Sequence, residues 1–84
     1  MGEMNLYPNP AENLLTVEFY VSARSEVSIS FFNATGQLVK AEQKTFEGGM
    51  NKYQSDISAL SAGVYVAQLQ SESTKAQKRF VVRR

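Results

Sequence analysis

The 84-residue chain contains no cysteine, no histidine and no tryptophan, and only two prolines. Without cysteine it has neither a disulfide staple nor a thiolate zinc site to reinforce a small core. The same absence suits an exported protein and a cytosolic one equally, so it assigns no compartment. Without histidine and cysteine there is no nucleophile–imidazole pair, no imidazole metal site and no thiol chemistry. The carboxylates Glu3, Glu12, Glu18, Glu26, Glu42, Glu47, Asp56 and Glu72 are scattered, and none stands in the spacing of a calcium loop. Carboxylates distant in sequence can meet in space, but a domain this small is expected to leave little room for a substrate cleft of about 300 Å³ or more. Gly48-Gly49 lacks the lysine and the strand–loop–helix unit of a phosphate loop. No apolar run approaches the roughly 18 residues that span a membrane. The opening Met1-Gly2-Glu3-Met4 has neither the basic nor the apolar region of a secretory signal. These absences argue against an enzyme, a cofactor and an integral membrane segment.

What is present is an ordinary apolar content of 43%, enough for one folded domain. The net charge of +1 hides an uneven spread. Lys75, Lys78, Arg79, Arg83 and Arg84 occupy the last ten positions with no acid among them, while the rest of the chain carries four basic residues against eight acidic ones. Nucleic-acid binding calls for a broad basic face, and this body is acidic, so no nucleic acid is expected. The basic terminus fits a protein partner or an anionic surface, and equally the charged edge that keeps a sheet soluble.

Alternation with period two dominates the chain. Leu15, Val17, Phe19 and Val21 alternate with Leu14, Thr16, Glu18 and Tyr20; Val27, Ile29 and Phe31 alternate with serines. Such segments are half-buried antiparallel strands. "NATG", Asn33 to Gly36, is a turn in which Asn bonds its own backbone and Gly accepts positive φ. "QLVKAEQKTF" follows as a strand with Lys40, Glu42 and Lys44 on one side, and "EGG" at Glu47–Gly49 is expected to close a hairpin into "NKYQSDI". "SALSAG", Ser58 to Gly63, fits one helical turn, capped by Ser58 and ended by Gly63 in the left-handed conformation. Tyr65, Ala67 and Leu69 share a face of the next strand. "SESTKAQ" reads as a polar bend, and "KRFVV" closes the chain with Phe80 and Val82 on one face. With a short extended piece at "MNLYP", the count is about seven strands. The expected fold is a single immunoglobulin-like antiparallel β-sandwich. In that fold a tyrosine where Tyr65 stands reaches back to a loop carbonyl. Pro8 and Pro10 in "LYPNP" stiffen the approach to the first long strand, or act as a hinge to something preceding it. Residues 1–5 read as added or linker residues ahead of a domain spanning 6–84. "NAT" also matches a glycosylation acceptor, although the turn accounts for Asn33.

Four stretches occur in order: "LYPNPAENLLTVEF", "VSISFFNATGQLV", "DISALSAGVYV" and "KRFVV". Together they resemble the type A C-terminal sorting domain of the type IX (Por) secretion system of Bacteroidetes, from about Leu6 to Val82. The resemblance implies a non-catalytic domain at the end of a cargo protein. Such a domain passes through the periplasm, is read by translocon or shuttle proteins, and directs its cargo across the outer membrane to the cell surface or the medium. A surface sortase then often removes it, leaving the cargo on an anionic lipopolysaccharide or free. Carried onto this chain, the terminal motif is Lys78, Arg79, Phe80, Val81 and Val82, followed here by Arg83 and Arg84, where the family usually has a shorter ending. Pro8, Pro10, Gly36, Gly63 and Tyr65 match structural positions. A last strand at a sheet edge would let a partner extend the sheet, and the basic groups would meet an acidic receptor. The alternative is an adhesion or carbohydrate-binding sandwich appended to a surface enzyme, with Tyr7, Tyr20, Phe32 and Tyr53 as its sugar platform.

Overall fold

The structure is a computed structural model that describes residues 4–72 and 75–84. Seven strands form: β1 (Met4–Tyr7), β2 (Leu14–Val21), β3 (Ser25–Asn33), β4 (Leu38–Phe46), β5 (Gly49–Asp56), β6 (Gly63–Gln70) and β7 (Lys75–Val82). They make two antiparallel sheets, one ordered β1-β2-β5 and the other β4-β3-β6-β7. The expected immunoglobulin-like sandwich is therefore the observed fold.

Alternation explains the burial. Leu15, Val17, Phe19 and Val21 of β2 face Val27, Ile29 and Phe31 of β3 and Tyr65, Ala67 and Leu69 of β6 across one core. β1 adds Met4 and Leu6 to that core, so the folded unit includes Met4. Phe19 of one sheet meets Phe46 of the other at 4.9 Å, and within the four-stranded sheet Phe31 meets Phe80 at 5.4 Å, both edge to face. Such pairs are worth roughly 0.5–1.5 kcal/mol beyond the area they bury.

β4 departs from the pattern. Lys40, Glu42 and Lys44 do share a face, but register places them opposite Phe31, Ile29 and Val27, on the inner side of the sheet. Lys40 and Glu42 are half-buried at this rim and Lys44 is exposed. Lys40 pairs with Glu42 at 3.1 Å, and Lys44 lies 5.3 Å from the centre of the Tyr53 ring. Inward-pointing charges on an edge strand discourage a second sheet from adding there. A bulge between Phe31 and Phe32 sets Phe32 opposite Leu38 and leaves Val39 without a partner on β3.

Three expectations need correction. Glu47–Gly49 does not close a hairpin: β4 pairs with β3 and β5 pairs with β2, so the chain crosses from one sheet to the other. Gly48 lies close to the neighbouring backbone, where a Cβ would stand 3.2 Å from the Cα of Ala23. The segment Ser58–Gly63 forms no helix. One turn closes from the Leu60 N–H to the Ile57 carbonyl at 3.0 Å, and Asp56 rather than Ser58 does the capping. Gly63, at φ +158°, opens β6 instead of ending a helix. Lys75–Gln77 belong to β7 and not to the bend; Ser73 and Thr74 of that bend lie outside the described residues.

The "NATG" turn forms as expected. The Asn33 side-chain oxygen accepts the N–H groups of Thr35 and Gln37 at 3.1 and 2.9 Å. Gly36 takes φ +89°, a conformation open to glycine at little cost.

Candidate functional site

β7 is an edge strand, with β6 on one side only. Its even positions point inward. Phe80 and Val82 are 0% and 1% exposed, and Phe80 stacks on Tyr65 with ring centres 5.6 Å apart. Lys78 has the same parity. Its Nζ donates to the Met4 carbonyl at 3.4 Å, tying β7 to the edge strand of the opposite sheet. The odd positions Lys75, Gln77, Arg79 and Val81 point to solvent on the outer face. Lys78 and Arg79 therefore stand on opposite faces and do not form one basic patch.

The free edge of β7 is not open along its whole length. Val82 makes a parallel bridge with Ala11. The Ala11 N–H donates to the Val81 carbonyl at 2.8 Å, and the Arg83 N–H donates to the Ala11 carbonyl at 2.8 Å. The Val81 N–H donates to the Asn9 side-chain oxygen at 3.0 Å. These bonds show that the odd positions carry the outward main-chain groups. Pro8 and Pro10, both following cis peptide bonds, flank the asparagine that makes this contact. Strand addition is thus blocked from Val81 onward. The outward main-chain groups of Gln77 and Arg79 have no partner among the described residues.

Arg84 is built into the molecule. Its Nη2 donates to the carbonyls of Ile57 and Leu60 at 2.6 and 2.7 Å, and its Nε donates to Leu60 at 3.0 Å. Nη1 donates to the Glu12 carbonyl and, at 3.3 Å, to the Asn13 side-chain oxygen. A planar fork with five N–H donors suits several acceptors at once. The loop it grips is also held by Tyr65, whose hydroxyl donates to the Ser61 carbonyl at 2.7 Å. That is the tyrosine corner expected from the sequence. Asp56 orders the start of the same loop: its Oδ1 accepts the Ser58 hydroxyl at 2.7 Å and the Ser58 N–H at 2.9 Å. Those two bonds hold the carboxyl below its ordinary pKa.

Among the described residues, no carboxylate pairs with Lys75, Lys78, Arg79, Arg83 or Arg84; the three ion pairs are Arg24–Glu47, Lys40–Glu42 and Lys52–Glu18. Shallow surface grooves of about 630 and 550 Å³ do form, contrary to the expectation that the domain has little room for a cleft. The aromatic platform does not assemble. Tyr7 and Tyr20 lie on the outer face of the three-stranded sheet, but Tyr7 stands opposite Thr16, four β2 positions from Tyr20. Phe32 faces out from the other sheet, and Tyr53 packs inward on Phe46 at 6.1 Å. No helix among the described residues is long and apolar enough to cross a membrane.

A family model described as "secretion system C-terminal sorting domain" matches residues 5–83. No curated protein matches the chain.

Proposed function

This chain belongs to the family of secretion system C-terminal sorting domains, and on that premise we propose how its last strand acts as the signal. The family is non-catalytic and serves type IX export across the outer membrane. The domain travels with an upstream cargo through the periplasm. A shuttle or translocon protein reads its terminus, and a surface sortase then removes it at or before the "LYPNP" stretch.

Within the terminal motif the residues divide by direction. Phe80 and Val82 hold the strand in the core, while Lys78 and Arg84 bond to main-chain carbonyls of this same molecule. Arg79, Val81 and Arg83 are left to meet the partner. The observation that carries this reading is the placement of β7: it is an edge strand whose Arg79 is exposed, with no carboxylate paired to it among the described residues. Charges in that position steer encounter and select partners more than they add affinity.

The test is a fusion of residues 1–84 to a fluorescent protein carrying its own inner-membrane export signal, expressed in a cell with a type IX system. Surface appearance that disappears when the secretion machinery is deleted supports the proposal. Retention in the periplasm, or delivery that survives the deletion, contradicts it.

A further inference from the structure

The outer face of the four-stranded sheet carries apolar side chains where a solvent-facing sheet would ordinarily be polar. Register sets Leu38, Phe32, Val66 and Arg79 in one row across all four strands. Val64 and Val81 form the neighbouring pair on β6 and β7. Leu38, Val64 and Val81 are 56%, 41% and 37% exposed. With strands about 4.8 Å apart, the row crosses roughly 14 Å. Contiguous exposed apolar surface of this kind marks a contact site more often than an isolated leucine does.

Two further features define what fits there. The first is charge. Arg79 ends the row and Arg83 follows Val81. The outward carboxylate on this sheet, Glu26, lies six residues along β3 from Phe32, about 20 Å away at 3.3 Å per residue. The second is shape. The strip runs at Val39 and Val64 into the 550 Å³ groove between the Asn33–Thr35 turn and the Ala59–Ala62 loop. That loop is the segment held by Arg84 and Tyr65.

We propose that this outer face, Leu38, Phe32, Val66, Val64 and Val81 with Arg79 and Arg83 at its margin, docks a partner protein that presents apolar side chains rimmed by carboxylates. The inference rests on the reading of the domain as a sorting signal. It extends the recognised surface beyond the terminal motif to β3, β4 and β6. Arg84 acts on it at one remove, by fixing the loop that walls the groove.

The experiment compares cargo fusions in a cell with a type IX system. One carries Leu38→Asp with Val64→Asp; a control carries Tyr20→Asp with Met50→Asp, exposed positions on the opposite outer face. Folding of each purified fusion is checked by resistance to limited proteolysis. The expected result is a tenfold or greater fall in surface cargo for Leu38→Asp/Val64→Asp, with the control at half of wild type or more. Arg79→Lys/Arg83→Lys should keep export and Arg79→Glu/Arg83→Glu should lose it. Wild-type export of Leu38→Asp/Val64→Asp, with the Glu pair trapped, overturns the docking face and leaves the sorting reading standing. Equal loss from both sheet faces also overturns it. Self-association of the wild-type fusion that Leu38→Asp/Val64→Asp abolishes would assign the face to a second copy instead. Absence of wild-type export would remove the sorting reading and this inference together.

Discussion

The guanidinium of Arg84 grips the carbonyl of Leu60 through two donors, Nε at 3.0 Å and Nη2 at 2.7 Å. The last residue of the chain thereby fixes the loop between β5 and β6. Together with the Ala11 bridge, it makes the terminus part of the sandwich.

Arg84→Ala should lower the unfolding free energy by about 1–2 kcal/mol, because bonds from a charged donor are worth roughly 1.5–3 kcal/mol and solvent access discounts them. Arg84→Lys should recover less than half of the loss, since an ammonium cannot span acceptors spread over two loops. Urea titration measures both. An unchanged midpoint for Arg84→Ala would mean that the fork adds nothing.

Tyr65→Phe removes one bond, the 2.7 Å contact to Ser61, and keeps the stack on Phe80. The expected cost is about 1 kcal/mol. Amide exchange in the loop from Ser58 to Ala62 should accelerate more than exchange in β2. Uniform acceleration across both would contradict a local tie.

Phe80→Ala should cost about 3–5 kcal/mol, as the ring is fully buried between Phe31 and Tyr65. A domain of this length has only roughly 4–13 kcal/mol in total. An export defect in Phe80→Ala therefore reports unfolding before it reports recognition. Arg79→Glu is exposed and should shift stability by no more than about 0.5 kcal/mol. Thermal melts of the two variants separate the effects.

Asp56 gives a pH prediction. Its carboxyl is lowered from 3.8 by the Ser58 hydroxyl and then by the Ser58 N–H. The folded state therefore binds the Asp56 proton less readily than the unfolded state does. The stabilisation is complete above the ordinary carboxylate value and is lost as pH falls through the lowered one. Asp56→Asn should be less acid-sensitive than wild type below about pH 4, where ordinary aspartates titrate. Parallel stability curves across that window would contradict the assignment.

Most strands were legible because each is buried on one face, and period two records that directly. Tyr65 was legible for the same reason, from its place at the start of a strand after a turn. The β4–β5 connection was misread because paired glycines serve a hairpin turn and a tight crossing alike; local chemistry does not say which sheet the next strand joins. Asn9 between two prolines read as part of a stiff approach to the first long strand, and its bond to Val81 joins residues 72 positions apart in the chain. The Arg84 fork was hidden in the same way, since a terminal cation in sequence looks solvated. The inward turn of Lys78 could have been found: it shares parity with Phe80 and Val82.

The most direct measurement is surface delivery of the cargo fusion carrying Arg79→Glu, with its unfolding free energy confirmed within about 0.5 kcal/mol of wild type. If the outward side of a folded terminal strand is the signal, the cargo accumulates in the periplasm. Surface delivery at the wild-type level by that folded variant would contradict it.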